Sequence, residues 1–223
     1  MISIVIPVYN NWKYTKVCLD FFEKNKDSSF EVIIVDNAST DETESGCKSY
    51  SCKYIRNNIN TGFGAAVNKG YKESKGDVVL FLNNDIMFGS GNIDWLHKVY
   101  ELTIGNDALI GPTGGLLDSK FNFVKETEDF TNINYISGWF LCANKKVLNS
   151  LILPGNEGPF DAKTFFAYFE DADLSFRATE KKIPFLQSKV PLFHIGRQTS
   201  KTLNLSNMYI ESKEKFTKKW SKK

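Results

Sequence analysis

The sequence predicts an α/β fold: one central, mostly parallel mixed sheet flanked by helices. Three observations carry this expectation. The runs Ile2–Pro7 (ISIVIP), Glu31–Val35 (EVIIV) and Val78–Leu82 (VVLFL) are strand-sized and almost continuously apolar, the pattern of strands buried on both faces. The segments between them carry apolar residues at helical spacing, and strand–helix alternation of this kind argues a parallel sheet covered on both sides. Finally, 223 residues with 42% apolar side chains suit a single domain with a real core and exclude intrinsic disorder.

Taken in order, Ile2–Pro7 is the first strand. After Asn10 and Asn11, the residues Tyr14, Val17, Cys18, Phe21 and Phe22 fall on one face of a helix. Glu31–Val35 is the second strand and ends at Asp36-Asn37. Ser39 with Glu42 three positions on has capping-box spacing and predicts a helix start there. Lys53–Arg56 reads as a short strand, and the Asn/Gly stretch from Asn57 to Gly64 leads into a helix with Phe63, Ala66, Val67, Gly70 and Tyr71 on one face. Val78–Leu82 follows the Gly76-Asp77 turn and ends at Asn83-Asn84-Asp85. The second half is less regular. Ile93–Leu102 and Phe169–Lys181 read as helices, and Ala108–Ile110, Asn134–Cys142, Ile183–Leu186 and Val190–His194 as strands. These elements make one domain over residues 1–206, and residues 207–223 read as a basic C-terminal helix or tail.

Composition narrows the function classes. The longest apolar runs are too short to span a bilayer, and the N-terminus lacks the basic region and apolar length of a signal peptide. Four irregularly spaced Cys without a secretion signal argue a reduced, cytoplasmic protein with no disulfide framework and no Cys metal site. The net charge of +2 conceals a split: residues 211–223 hold six Lys and two Glu, net +4, and the remainder holds 22 basic and 24 acidic side chains, net −2. A faintly acidic body is not the profile of a nucleic-acid binder. The basic end, with Phe216 and Trp220 among its lysines, reads as a solvated terminal helix, or as a peripheral contact with an anionic leaflet at the inner face of a membrane.

Ligands of open parallel sheets bind outside the carboxyl ends of the strands. Here those ends are Pro7–Asn10, Asp36-Asn37 and Asn83–Asp85, which together make a polar, acidic cleft. Asp36 suits hydrogen bonding to a ribose or a base N–H, and Asp85 suits a divalent cation that neutralises a diphosphate. Each also fits plain turn chemistry, because Asp and Asn bond their own backbone. Gly62-Phe63-Gly64 precedes a helix whose N-terminus suits a phosphate or a sugar, although one Gly-x-Gly is no dinucleotide fingerprint. A second acidic group, Glu170-Asp171-Ala172-Asp173, follows Phe165, Phe166, Tyr168 and Phe169. Three acids at a helix start also answer the macrodipole. Beside an aromatic wall, however, a carboxylate is desolvated and its pKa rises, which suits a general base. His194 is either structural or, with Asp85, a ligand for Mn²⁺ or a similar ion.

Several segments then spell a family. SIVIPVYN, VIIVDNASTDET, NINTGFGAAVNKG, GDVVLFLNNDI, SGWFLCANKKVL, FFAYFEDADLSFRA and FHIGRQTS occur in this order between residue 2 and about residue 200. The chain resembles family 2 inverting glycosyltransferases of the GT-A fold, a single Rossmann-like domain, and in particular bacterial rhamnosyltransferase-like members. The resemblance implies a nucleotide-binding half over about residues 1–100 and an acceptor-binding half over about 101–206. It implies a donor such as a UDP- or dTDP-sugar, a divalent metal (Mn²⁺ or Mg²⁺), and a saccharide or lipid-linked acceptor in surface polysaccharide assembly. Pro7, Tyr9 and Asp36 would hold the base and ribose, with Asn60 and Gly62 nearby. Asn84 would contact the ribose or a phosphate, Asp85 and His194 would be the metal ligands, and Asp171 would be the base with Glu170 beside it. Trp139 would shape the sugar or acceptor pocket.

Departures from the family pattern are informative. Only the last residue of Asn83-Asn84-Asp85 is acidic where such enzymes carry an Asp-x-Asp-type motif, which implies weaker or more exchangeable metal binding. No Gln-x-x-Arg-Trp motif occurs, which disfavours the processive synthases and favours transfer of one sugar. Two rivals stand beside this reading. A sugar nucleotidyltransferase needs a Gly-rich basic loop after the first strand, where Pro7–Lys13 holds no glycine. A non-catalytic nucleotide-sugar-binding module is the other, prompted by the missing first Asp.

Overall fold

A computed structural model of the protein describes residues 1–89, 91–196 and 206–221. Its centre is a seven-stranded sheet formed by β1 (Ile2–Val8), β2 (Phe30–Asp36), β3 (Lys53–Arg56), β4 (Val78–Leu82), β6 (Leu109–Gly111), β10 (Phe140–Asn144) and β11 (Phe185–Gln187), in the order β11-β6-β10-β4-β1-β2-β3. β3, β2, β1 and β4 are mutually parallel. β10 runs antiparallel to both neighbours, β4 and β6, so the sheet is mixed. The ends of β1, β2 and β4 therefore lie on one edge, and the start of β10 meets them there.

Pleating sorts the apolar runs onto two faces. Ile4, Ile6 and Val8 join one core with α1 (Trp12–Lys24) and α4 (Asp94–Ile104), whereas Val5, Ile33 and Val35 join another with α3 (Phe63–Lys72), α5 (Lys145–Ser150) and α6 (Glu170–Glu180). This is why the central strands read as unbroken apolar runs: both faces are covered.

Two smaller sheets shape the edge. β5 (Ile86–Phe88) pairs antiparallel with β12 (Leu192–His194), with His194 opposite Ile86. β7 (Gly114–Leu117), β8 (Phe123–Thr127) and β9 (Tyr135–Ile136) form a three-stranded antiparallel sheet. The single strand expected over Asn134–Cys142 is thus two, β9 and β10, broken by a turn at Ser137–Trp139.

The capping box expected at Ser39 does not form. α2 spans Thr43–Cys47, because the Ser39 hydroxyl accepts instead from Asn10 N at 2.7 Å and its N–H donates to Asp36 Oδ1 at 2.8 Å. Asp41 serves the helix start, accepting from Thr43 N at 3.1 Å.

The C-terminal helix α7 (Ser206–Trp220) corrects the solvated-helix expectation. Phe216 is fully buried and Trp220 nearly so, in a third core with Leu117, Phe165, Phe169 and Ala172. Lys219 Nζ lies 2.8 Å from Asp161 and 2.7 Å from Asp173. An aromatic stripe that would insert into a leaflet is instead spent on the protein interior. Residues 197–205, which include most of the GRQTS part of the late motif, lie outside the described residues, as do Lys222 and Lys223.

Candidate active site

The edge where β4 ends and β10 begins assembles most of the expected chemistry. Asn83, Asn84 and Asp85 leave β4 through a bend at Asn84 that sends its side chain away from those of Asn83 and Asp85. Asn84 turns inward: its Nδ2 donates to Thr15 Oγ1 at 2.9 Å, and its carbonyl accepts from Cys18 Sγ at 3.1 Å. These bonds commit Asn84 to the packing of α1. Asn83 and Asp85 point the other way, toward His194. Asp85 Oδ1 lies 3.1 Å from His194 Nε2, and Asn83 Nδ2 lies 3.2 Å from the same nitrogen. Pairing of β5 with β12 makes this approach, and Ile195 N fixes it by donating to Asp85 O at 2.9 Å.

The Asp85–His194 pair fits a divalent ion. Ligand atoms that neighbour one another in an octahedral shell with bonds near 2.1 Å are about 3 Å apart, close to the observed 3.1 Å. Among the described residues no group of three or more His, Cys, Asp or Glu side chains is placed to hold a metal. Ions of the Mg²⁺ type are held by one or two protein ligands with water and phosphate oxygens completing the shell, so two ligands suffice for a metal that arrives with a diphosphate.

The turn between β9 and β10 joins this pair to the acidic helix. The Trp139 ring stacks on His194, with centroids 5.3 Å apart and planes 13° from parallel, and its carbonyl accepts from Asn83 N at 2.9 Å. The indole N–H donates to Thr113 Oγ1 and Glu126 Oε1, each at 2.9 Å, and Thr113 itself donates to Glu126 at 2.6 Å. One residue earlier, Gly138 N donates to Asp171 Oδ2 at 2.8 Å. A side chain at position 138 would meet Asp171 Cβ at 3.0 Å, so any other residue there presses on the Asp171 side chain that the bond holds.

Asp171 and Glu170 open α6. Asp171 Oδ1 accepts from Ala172 N at 2.8 Å. Burial pushes the Asp171 carboxyl up from its ordinary range, against the pull of the Gly138 and Ala172 amides. Glu170 Oε2 is enclosed without a partner, and burial followed by the nearby Asp171 charge pushes the carboxyl up to about 8, against the pull of its own amide. The two adjacent carboxyls sit in unlike environments, and a Glu170 carboxyl near 8 holds its proton at neutral pH.

The nucleotide side of the edge is more closed than expected. Pro7 and Tyr9 are half-buried at the end of β1. Asp36 is fully buried, and its carboxylate already accepts from Ser39 N, the Tyr54 hydroxyl and the Arg56 guanidinium. A base or ribose reaching Asp36 has to displace one of these donors. Asn60 Oδ1 accepts from Gly62 N at 3.0 Å. Gly62 has φ +84°, and a Cβ there would lie 2.2 Å from Phe166 O. Phe63 N donates to that same oxygen at 3.1 Å. The N-terminus of α3 is therefore covered by the segment before α6 and not open to a phosphate.

Sequence reasoning missed Asn83, Thr113 and Glu126. A Glu in the stretch FVKET carries no motif, and its role exists only because β7 and β8 fold over the Trp139 turn.

Comparison with known proteins fits this geometry. A glycosyltransferase of Rickettsia typhi, itself uncharacterized, is 25% identical over the whole chain, which covers 73% of that protein. Staphylococcus aureus TarS (residues 1–349), solved with UDP-GlcNAc, has a TM-score of 0.63 over 89% of this chain at 19% identity, and the chain spans 60% of it. Glucosyl-3-phosphoglycerate synthase from Mycobacterium tuberculosis, solved with Mn²⁺, UDP and glucosyl-3-phosphoglycerate, has a TM-score of 0.65 over 98% of this chain and 79% of its own, at 16% identity. At such identity the likeness is one of fold, the GT-A arrangement. The family model "Glycosyl transferase family 2" matches residues 3–155, from β1 through α5, while Asp171 and His194 lie beyond it. Over that span, more than half of the sequence, the chain belongs to glycosyl transferase family 2.

Proposed function

We propose that the chain transfers one sugar from a nucleoside-diphosphate donor to a hydroxyl of a saccharide or lipid-linked acceptor, with inversion at the anomeric carbon. The observation that carries this reading is the Gly138–Trp139 turn, which touches the base candidate Asp171 with its backbone and the metal-ligand candidate His194 with its ring. Asp85 and His194 would hold Mn²⁺ or Mg²⁺, which when bound offsets negative charge on the departing diphosphate. Asp171 accepts the proton of the acceptor hydroxyl as that oxygen bonds to the anomeric carbon and the carbon–diphosphate bond breaks. Glu170, protonated beside it, keeps the local charge from doubling, and Trp139 walls the pocket. Pro7, Tyr9 and the Asp36–Arg56 cluster form the base and ribose floor, bounded by the Asn60–Gly62 loop.

We take the nucleotide as UDP or dTDP; neighbours of this fold are solved both with UDP and with GDP-mannose. Rhamnose is the sugar suggested by the motif pattern, and bacterial surface polysaccharide the setting. A peripheral contact of α7 with an anionic leaflet would be mainly electrostatic, since Phe216 and Trp220 are buried and Ile210 is the large apolar side chain α7 exposes.

The test is calorimetry and turnover with UDP, dTDP and their sugars in the presence of Mn²⁺. Asp85→Ala is expected to weaken Mn²⁺-dependent nucleotide binding tenfold or more. Asp171→Asn should keep that binding and lose about a hundredfold or more in transfer. Full transfer by Asp171→Asn would overturn the assignment of the base.

A further inference from the structure

Immediately before α6, two consecutive non-glycine residues, Tyr168 and Phe169, have φ of +66° and +67°. Side chains of this size avoid the left-handed region, and such a turn persists only where its surroundings over-determine it. Much of that determination comes from α7. The buried Ser212 donates its hydroxyl to Ala167 O at 2.6 Å. The Tyr209 ring lies 5.4 Å from both the Tyr168 and the Phe169 ring, and Phe216 lies 5.1 Å from Phe169. In the first turn of α6, the fully buried Asp173 receives Lys219 Nζ at 2.7 Å and Trp220 Nε1 at 3.0 Å. α7 thus grips the chain on both sides of Glu170 and Asp171, before them at Ala167–Phe169 and after them at Asp173.

We propose that α7 is a strap for the base: Ser212 and Tyr209 are positioning residues that keep Tyr168 and Phe169 left-handed and thereby aim Asp171 at the Gly138–Trp139 turn. The catalytic part of this inference rests on Asp171 being the base, whereas the strap itself does not. Without the Ser212 bond, Ala167 O loses its donor and the turn is free to relax toward ordinary φ. Such relaxation rotates the first turn of α6, so that Asp171 no longer meets Gly138 N.

The experiment combines amide hydrogen exchange with kinetics on the full chain. Ser212→Ala is expected to speed exchange at the amides of Phe169–Ala172 and at Gly138 at least tenfold, with β1 and β2 unchanged. In turnover with whichever UDP- or dTDP-sugar the wild-type protein uses, kcat should fall ten- to a hundredfold with the donor KM unchanged, the signature of a misplaced reacting group. Glycine takes positive φ without strain, so Tyr168→Gly in the Ser212→Ala background should recover severalfold in kcat. Unchanged exchange at Gly138 and Ala172, or a uniform rise across the chain, would overturn the strap. If the wild-type protein turns over no nucleotide sugar, the functional reading fails, and the exchange measurement still decides the strap.

Discussion

Glu170 and Asp171 show how much of this site is decided by single donors. Both carboxyls are driven upward by burial, but Asp171 accepts from the Gly138 and Ala172 amides while Glu170 Oε2 has no partner. A carboxyl raised in the folded state to about 8 binds a proton that the unfolded chain has already released above its ordinary value near 4.5. Its contribution is therefore fully present below pH 4.5 and is lost as pH rises through 8. Glu170→Gln is expected to flatten the pH dependence of Tm across this window and to raise Tm by a few °C at pH 8, measured by calorimetric scans at fixed ionic strength. Glu126 acts at one remove. Its carboxylate fixes the Trp139 indole, and through the ring stack it fixes the plane of His194, the kind of outer contact that tunes a metal ligand.

At the level of elements, strands buried on both faces were readable and everything solvent-facing was less so. β1, β2 and β4 announce themselves as unbroken apolar runs. β8, whose residues from Phe123 to Lys125 are exposed, has neither alternation nor a continuous run, so it and the Glu126 it carries were invisible. The motif resemblance implies a donor contact for Asn84, whose amide is bonded to Thr15, while Asn83 and Asp85 meet His194. The Asp85–His194 and Gly138–Asp171 contacts unite segments that the motif order had only set in sequence. Gly62 shows a glycine required by an element contact: α3 begins against Phe166 O at a distance that leaves no room for a Cβ. Gly62→Ala is expected to cost about 2–3 kcal/mol in urea unfolding and to loosen the segment from Ala162 to Phe169. A loss below 0.5 kcal/mol would show that the loop adapts freely.

Across the whole molecule, the charge split seen in the sequence acquires a structural meaning. Lys219, part of the basic end, sits between the buried carboxylates Asp161 and Asp173 of the acidic body, so some of the terminal charge is internal counter-charge. Phe216→Ala should cost about 3–5 kcal/mol, the loss typical of a fully buried ring, whereas a solvated appendage would lose nothing; guanidinium unfolding distinguishes the two. The reversed direction of β10 has a different kind of consequence. Because β10 is locked in register with β4, Phe140 opposite Leu82, one residue gained or lost between Ser137 and Phe140 would turn every side chain of β10 to the wrong face or pull Trp139 off His194. The tip of the β7–β8 hairpin is held by side chains: Phe121 packs on Phe176 and Phe216, and Asn122 accepts from Lys213. Heritable length variation among descendants of this gene should be absent from residues 137–144, so that the spacing of the turn is inherited even where its letters change.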